Sequence, residues 1–259
     1  MNSHKSQMLL SADDPPPVSV INPRGASPFL LIGDHAGNAI PSALGSLGLT
    51  EEELRRHIAW DIGIAGLGKH LSASLDAAFI HQNYSRLVID CNRDPRAPDA
   101  IPSVSDETPI PGNCGLTEAD REARVSAVHL PYQSAIAAEL ARRDVAGLDT
   151  ILVALHSFTP TMQGAARPWQ IGVLHSGGDT RFALSILRRL EARGDLVVGD
   201  NQPYAMDGID HSIPRHAFAA RRLYAETEIR QDLLATDEQQ AGWSDLLAPL
   251  FRDAAAEIR

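Results

Sequence analysis

Cys91 and Cys114 are the only two cysteines in 259 residues. They do not make a Cys-x-x-Cys pair, which argues against a disulfide framework and against a cysteine-based zinc site. Long apolar runs are missing as well: "ILVAL" at 151–155 falls far short of the roughly 20 residues that span a bilayer. The N-terminal "MNSHKSQMLLSADDPPP" has a lysine but no apolar stretch of signal-peptide length. Residues 1–17 therefore read as a flexible leader, and the protein as cytoplasmic with no membrane partner. Positive charge is short too: a formal net charge of -10 repels phosphate backbones and speaks against nucleic acid as a partner. There is no internal repeat and no composition break marking a second domain, so residues 18–259 are expected to form one.

What is present is ordinary for a soluble globular chain, with 44% apolar and 22% charged residues, enough for a substantial core. Short β-rich runs recur: "PFLLIGDH", "AAFIHQN", "SRLVIDCN", "TILVALHS", "WQIGVLHS", "DLVVGD" and "YAETEIR". Several are continuous rather than alternating, as expected of strands covered on both faces. The pattern predicts an α/β fold: a mixed, mostly parallel sheet with helices on either side, three layers in all. Helix starts are marked by Thr50 with Glu53 and by Thr117 with Asp120, both spaced as capping boxes. Pro131 should break or kink a helical segment over about 117–143, and a last helix covers about 236–258. Between them, residues 93–116 are rich in Pro, Asp and Ser without periodicity, a long loop that reads as a lid or binding loop.

Candidate chemistry gathers at strand ends. "FLLIGDH" delivers His35, "ILVALH" delivers His156 and "IGVLH" delivers His175. Ligands in open α/β sheets bind outside the carboxyl ends of strands, and imidazole is a good zinc ligand, although a strand-end histidine can equally cap a carbonyl or face solvent. "AWDIG" offers Asp61, either the N-cap of the following helix or a carboxylate completing a His–Asp–His set. "YSRLVIDCNRDP" crowds Arg86, Asp90, Asn92 and Arg93 around one expected strand, suited to bidentate binding of a carboxylate or to a surface ion pair. Arg167 in "ARPWQIG" and Asn201 or Tyr204 in "GDNQPY" can also reach a ligand. In "YAETEIRQD", Glu226 and Glu228 share one strand face, as an exposed edge would allow and as a site would exploit.

In order from about residue 30 to 245, "DHAGNAIP", "HIAWDIG", "YSRLVIDCNRDP", "IPGN", "LHSFTP", "RPWQIGVL", "GDNQPY" and "EIRQD" resemble the N-formylglutamate amidohydrolase family. Such families look related in design to zinc carboxypeptidases and aspartoacylase. The resemblance implies that fold, a Zn2+ or other divalent ion, and a small N-acyl amino acid as substrate. It also implies His35 and His156 as metal ligands, an Asn92–Arg93 pair with Arg86 or Arg167 on the substrate carboxylate, and Glu228 as general base ahead of Glu226. One position departs. Zinc carboxypeptidases carry a metal-binding Glu three residues after their first His, where this chain has Asn38, a poor zinc ligand. Asp61 is the expected substitute.

Overall fold

Apolar runs with hydrophobic helices on both sides settle as buried strands, and the computed structural model of the protein, which describes residues 8–258, has that form. Its strands are β1 Val18–Ile21, β2 Phe29–Gly33, β3 Ala78–Gln82, β4 Val104–Ser105, β5 Thr108–Pro109, β6 Ile151–Phe158, β7 Thr161–Met162, β8 Ala165–Ala166, β9 Ile171–Leu174, β10 Val198–Asp200 and β11 Leu223–Arg230. Its helices are α1 Glu51–Leu54, α2 Ile64–Leu75, α3 Glu118–Arg124, α4 Leu130–Val145, α5 Arg181–Glu191 and α6 Asp237–Glu257. Seven strands form one sheet in the order β1-β3-β2-β6-β11-β9-β10. The pairs β3–β2, β2–β6, β6–β11 and β9–β10 are parallel, while β1 runs antiparallel to β3 and β9 to β11. The fold is α/β, with a mixed and mostly parallel sheet.

Alternation along the strands divides the core in two. Leu31, Val153, Leu155, Ala225 and Ile229 pack against α2, α5 and α6, while Leu30, Ile32, Leu152, Ala154 and Tyr224 pack against α4. At Gly68 on α2 a Cβ would stand 2.2 Å from the Phe79 ring, so the glycine lets α2 lie directly on β3. Among the described residues no helix is long and apolar enough to cross a membrane.

Both expected capping boxes are present, Thr50 with Glu53 on α1 and Thr117 with Asp120 on α3, and Thr236 with Gln239 forms a third on α6. Pro131 lies in the first turn of α4, and the chain ahead of it, Val125–His129, widens into a π-helical turn joining α3 to α4. A proline lacks the N–H that a regular turn would use, and the wider turn absorbs the mismatch.

Two strand expectations differ from the structure. "SRLVIDCN" is not a strand: its backbone bonds go to loops, with Ser85 and Arg86 donating to the carbonyls of Ala39 and Ala59, and Asp90 to that of Ala100. Conversely, Val18–Ile21, not anticipated, is the edge strand β1. Residues 1–7 of the expected leader lie outside the described residues. Further along it, the carbonyls of Pro15 and Pro16 accept hydrogen bonds from Tyr84 and Asn83.

Candidate active site

One face of the sheet changes character along its length. In the β6–β11 register, Leu152 pairs with Tyr224, Ala154 with Glu226 and His156 with Glu228. The first of these pairs is apolar and packs toward α4; the last places two ionisable side chains at the carboxyl ends of the strands, where a cavity of about 350 Å³ opens. Glu226 and Glu228 therefore do share a face, and it is a buried one: they are 2% and 5% exposed.

His35 stands two residues past the end of β2. The chain there lies so close to Asn83 that a Cβ on Gly37 would come within 2.2 Å of its backbone, which fixes the turn. The His35 carbonyl accepts from the Asp61 amide at 2.9 Å, tying the two residues together. Asp61 does not cap α2: the N-cap is Gly63, in the left-handed region at φ 87, without a side-chain bond. The carboxylate turns inward instead. Its Oδ2 lies 3.4 Å from His35 Nδ1 and 3.0 Å from His156 Nδ1. One donor atom from each of the three buried residues lies within 4.8 Å of the other two, and His35 Nδ1 has no hydrogen-bond partner. Two imidazole nitrogens and one carboxylate oxygen, buried and convergent beside an open cavity, match the donor set of a site that leaves a metal one free position.

Carboxylates back both rings: His35 Nε2 is 2.7 Å from Asp90 Oδ1, and His156 Nε2 is 3.2 Å from Asp34 Oδ2. Burial works against charging His156, but Glu226, Asp34 and Asp61 outweigh it and hold its pKa well above the ordinary value. Burial and the Arg86 guanidinium oppose His35 in the same way, and Asp90 and Asp61 leave it raised. Asp61 is pushed below the usual carboxylate range by the two imidazoles despite its burial. The carboxylates around the two rings thus favour a positive charge between them. Burial raises Glu228 to about 7 and Glu226 well above its ordinary value.

The arginines differ in what they already hold. Arg86 bridges Asp90 at 2.7 Å and Asp61 at 3.5 Å. Arg93 pairs with Asp99 at 3.2 Å and Asp210 at 3.7 Å. Asn92 uses its side-chain oxygen on the amides of His211 and Ser212 and donates to Asp210. Arg167 donates to the Tyr204 hydroxyl at 2.9 Å with its guanidinium 4.7 Å from the Tyr204 ring centre, and no carboxylate pairs with it among the described residues. Tyr204, Arg86, Asn92 and Arg93 line the cavity, together with Asp99, Ser105 and Asp106 from the long loop.

His175 is excluded by topology. Because β9 runs antiparallel to β11, its carboxyl end points away from those of β6 and β2, and His175 pairs with Asp200 at 2.8 Å. Asn38 is also elsewhere, donating to the Leu54 carbonyl at the end of α1. Sequence reasoning missed Asp34 and Ser212. The Asp-His dipeptide was the available signal for Asp34, but direction past a strand end cannot be read from alternation.

By its family the chain is a hydrolase acting on amide bonds. A gene product of Agrobacterium tumefaciens, solved by crystallography, is 37% identical over 96% of this chain and 99% of its own, with a TM-score of 0.93. The sequence model of the N-formylglutamate amidohydrolase family matches residues 27–235, and the chain belongs to that family. The crystal structure of an N-formylglutamate amidohydrolase from Ralstonia eutropha shares the fold at 20% identity, with a TM-score of 0.67 over 93% of this chain and 97% of its own. No curated protein matches the sequence.

Proposed function

We propose that the protein is a metal-dependent amidohydrolase that removes an N-acyl group, above all N-formyl, from an acidic amino acid such as glutamate. The observation that carries this reading is the convergence of His35, Asp61 and His156 beside the cavity wall that presents Glu228. These three would hold a Zn2+ ion, which when bound supplies Lewis acidity to the amide carbonyl and to water.

Glu228 is the general base. A carboxyl with a pKa of about 7 takes a proton at neutral pH and gives it up again readily. It receives the proton of the attacking water as the oxygen bonds to the carbonyl carbon. It then returns that proton to the nitrogen as the C–N bond breaks, releasing formate and the free amino acid. Glu226 is held more firmly neutral by burial and by the neighbouring Asp210 and Glu228, so it is less suited to accept a proton.

Arg86 and Arg93 already neutralise carboxylates of the protein and Asn92 secures the 210–212 segment, so these three shape the binding wall. Arg167 does not itself line the cavity, but it is stacked on Tyr204, which does, and with no carboxylate of its own among the described residues it is left to reach the substrate carboxylate past that ring. Holding that carboxylate fixes the amide against the water, which is itself worth several kcal/mol of barrier.

Glu228→Gln is expected to keep the metal content of wild type while turnover of N-formylglutamate falls roughly 100-fold or more. A metal-loaded variant with wild-type turnover removes Glu228 from this role. A panel of N-formyl, N-acetyl and N-succinyl amino acids reads out the acyl preference.

A further inference from the structure

Asp34 is buried at 1% exposure and does not line the cavity. It follows β2 directly and stands next to His35 in the chain, yet its carboxylate faces the other ring, with Oδ2 3.2 Å from His156 Nε2. Neither atom makes a hydrogen bond, and the other carboxylate oxygen near Nε2, Glu226 Oε1, stands farther off at 4.0 Å. Two adjacent buried orphans of opposite character form a bond as soon as the imidazole turns slightly.

The carboxylate is braced from behind. Ser212 Oγ donates to Asp34 Oδ1. Gln133 Nε2 on α4 donates to Ser212 Oγ at 3.0 Å and to the Cys91 carbonyl at 2.8 Å, and Gln133 Oε1 lies 2.7 Å from His216 Nε2. Each group in this relay has its place fixed by the next, and the relay ends on a helix rather than in a loop. The counterpart behind His35 is different: Asp90 also carries the Arg86 guanidinium at 2.7 Å, so charge balance alone accounts for its presence. Asp34 has no arginine or lysine within 4.0 Å among the described residues, and His156 is the cation-forming group it faces.

We propose that Asp34, braced by Ser212 and Gln133, is the positioning residue of His156: it takes the Nε2–H and thereby turns a bare Nδ1 toward Asp61 and His35 for a divalent cation. This rests on the reading of His35, Asp61 and His156 as the metal-holding set. A carboxylate behind a ligating imidazole fixes both its tautomer and its ring orientation, and losing one typically weakens metal binding 10–100-fold.

The test uses the full chain stripped of metal, with Zn2+ alone titrated against a chromogenic chelator at one pH, and the visible spectrum of the Co2+-loaded protein as a second readout. Wild type is expected to bind one Zn2+ and His156→Ala to lose it. Asp34→Asn should bind roughly 10–100-fold more weakly, and Ser212→Ala, which keeps the carboxylate but removes its brace, by a smaller factor. Both should shift the Co2+ spectrum, which a merely structural role would leave alone. Wild-type affinity in Asp34→Asn, or weakened affinity with an unchanged Co2+ spectrum, overturns the positioning role while the metal reading stands. Failure of wild type to bind Zn2+ overturns the metal reading, and this inference with it. If Asp34→Asn does not fold, Ser212→Ala decides: unchanged affinity and spectrum overturn the proposal.

Discussion

Arg86, Arg93 and Arg167 carry the same guanidinium, and only their neighbours distinguish them. The first two already answer carboxylates of the protein, so removing either leaves a buried or half-buried acid unpaired and confounds binding with stability. Arg167 has no such debt, and its fork geometry suits a carboxylate in a way that a lysine point charge does not. Arg167→Lys is therefore expected to raise KM for N-formylglutamate about tenfold, about 1.4 kcal/mol, with kcat little changed. An unchanged KM for the acidic substrate takes Arg167 out of the binding set. His35 and His156 were legible as candidates because strand ends are where α/β sheets present ligands. Their separation from His175 was not, since direction of a strand is a property of its partners and leaves no mark in "WQIGVLHS".

Among the elements, local chemistry decided what could be read. Thr50 and Thr117 announce their helices through bonds made within four residues, and those helices are present with both halves of each capping box. "SRLVIDCN" has strand composition, but its Ser85 hydroxyl spends itself on the Ala59 carbonyl and the Leu87 amide, and that competition with the ladder depends on a loop distant in sequence. α6 shows a similar conflict: Pro249 sits inside a 21-residue helix on an exposed position. It removes one helical hydrogen bond and crowds the preceding turn, a cost of about 3 kcal/mol that its restriction of the unfolded chain offsets by less than about 1 kcal/mol. Pro249→Ala is expected to stabilise the protein by about 2 kcal/mol, raising Tm by about 4–8 °C in a thermal melt. An unchanged or lower Tm would show that Pro249 costs the helix nothing where α6 packs against α2 and α5.

At the scale of the whole molecule, the sheet concentrates its electrostatic cost in one place. A chain of formal charge -10 buries Asp34, Asp61, Asp90, Glu226 and Glu228 around two imidazoles, with Arg86 the nearest permanent cation. The most deeply buried charges elsewhere, Arg124 and Arg143, have their guanidinium groups bonded to backbone carbonyls, Asn113 and Glu139, so the unbalanced acids are confined to the carboxyl ends of the strands. A divalent cation bound there takes the place of the protons that the carboxylates hold on the two imidazoles and has no equivalent site in the unfolded chain, so binding must appear as stability. At a free Zn2+ concentration a thousandfold above Kd, the linkage is about 4 kcal/mol. For a chain of this length that corresponds to a rise in Tm of roughly 10 °C, reversed by a chelator. The control is His156→Ala, which lacks one donor of the set and should melt at the same temperature with and without Zn2+. Should the variant show the wild-type shift, the ion stabilises the protein from some other place, and the His35–Asp61–His156 centre would no longer be the reason for the buried charge.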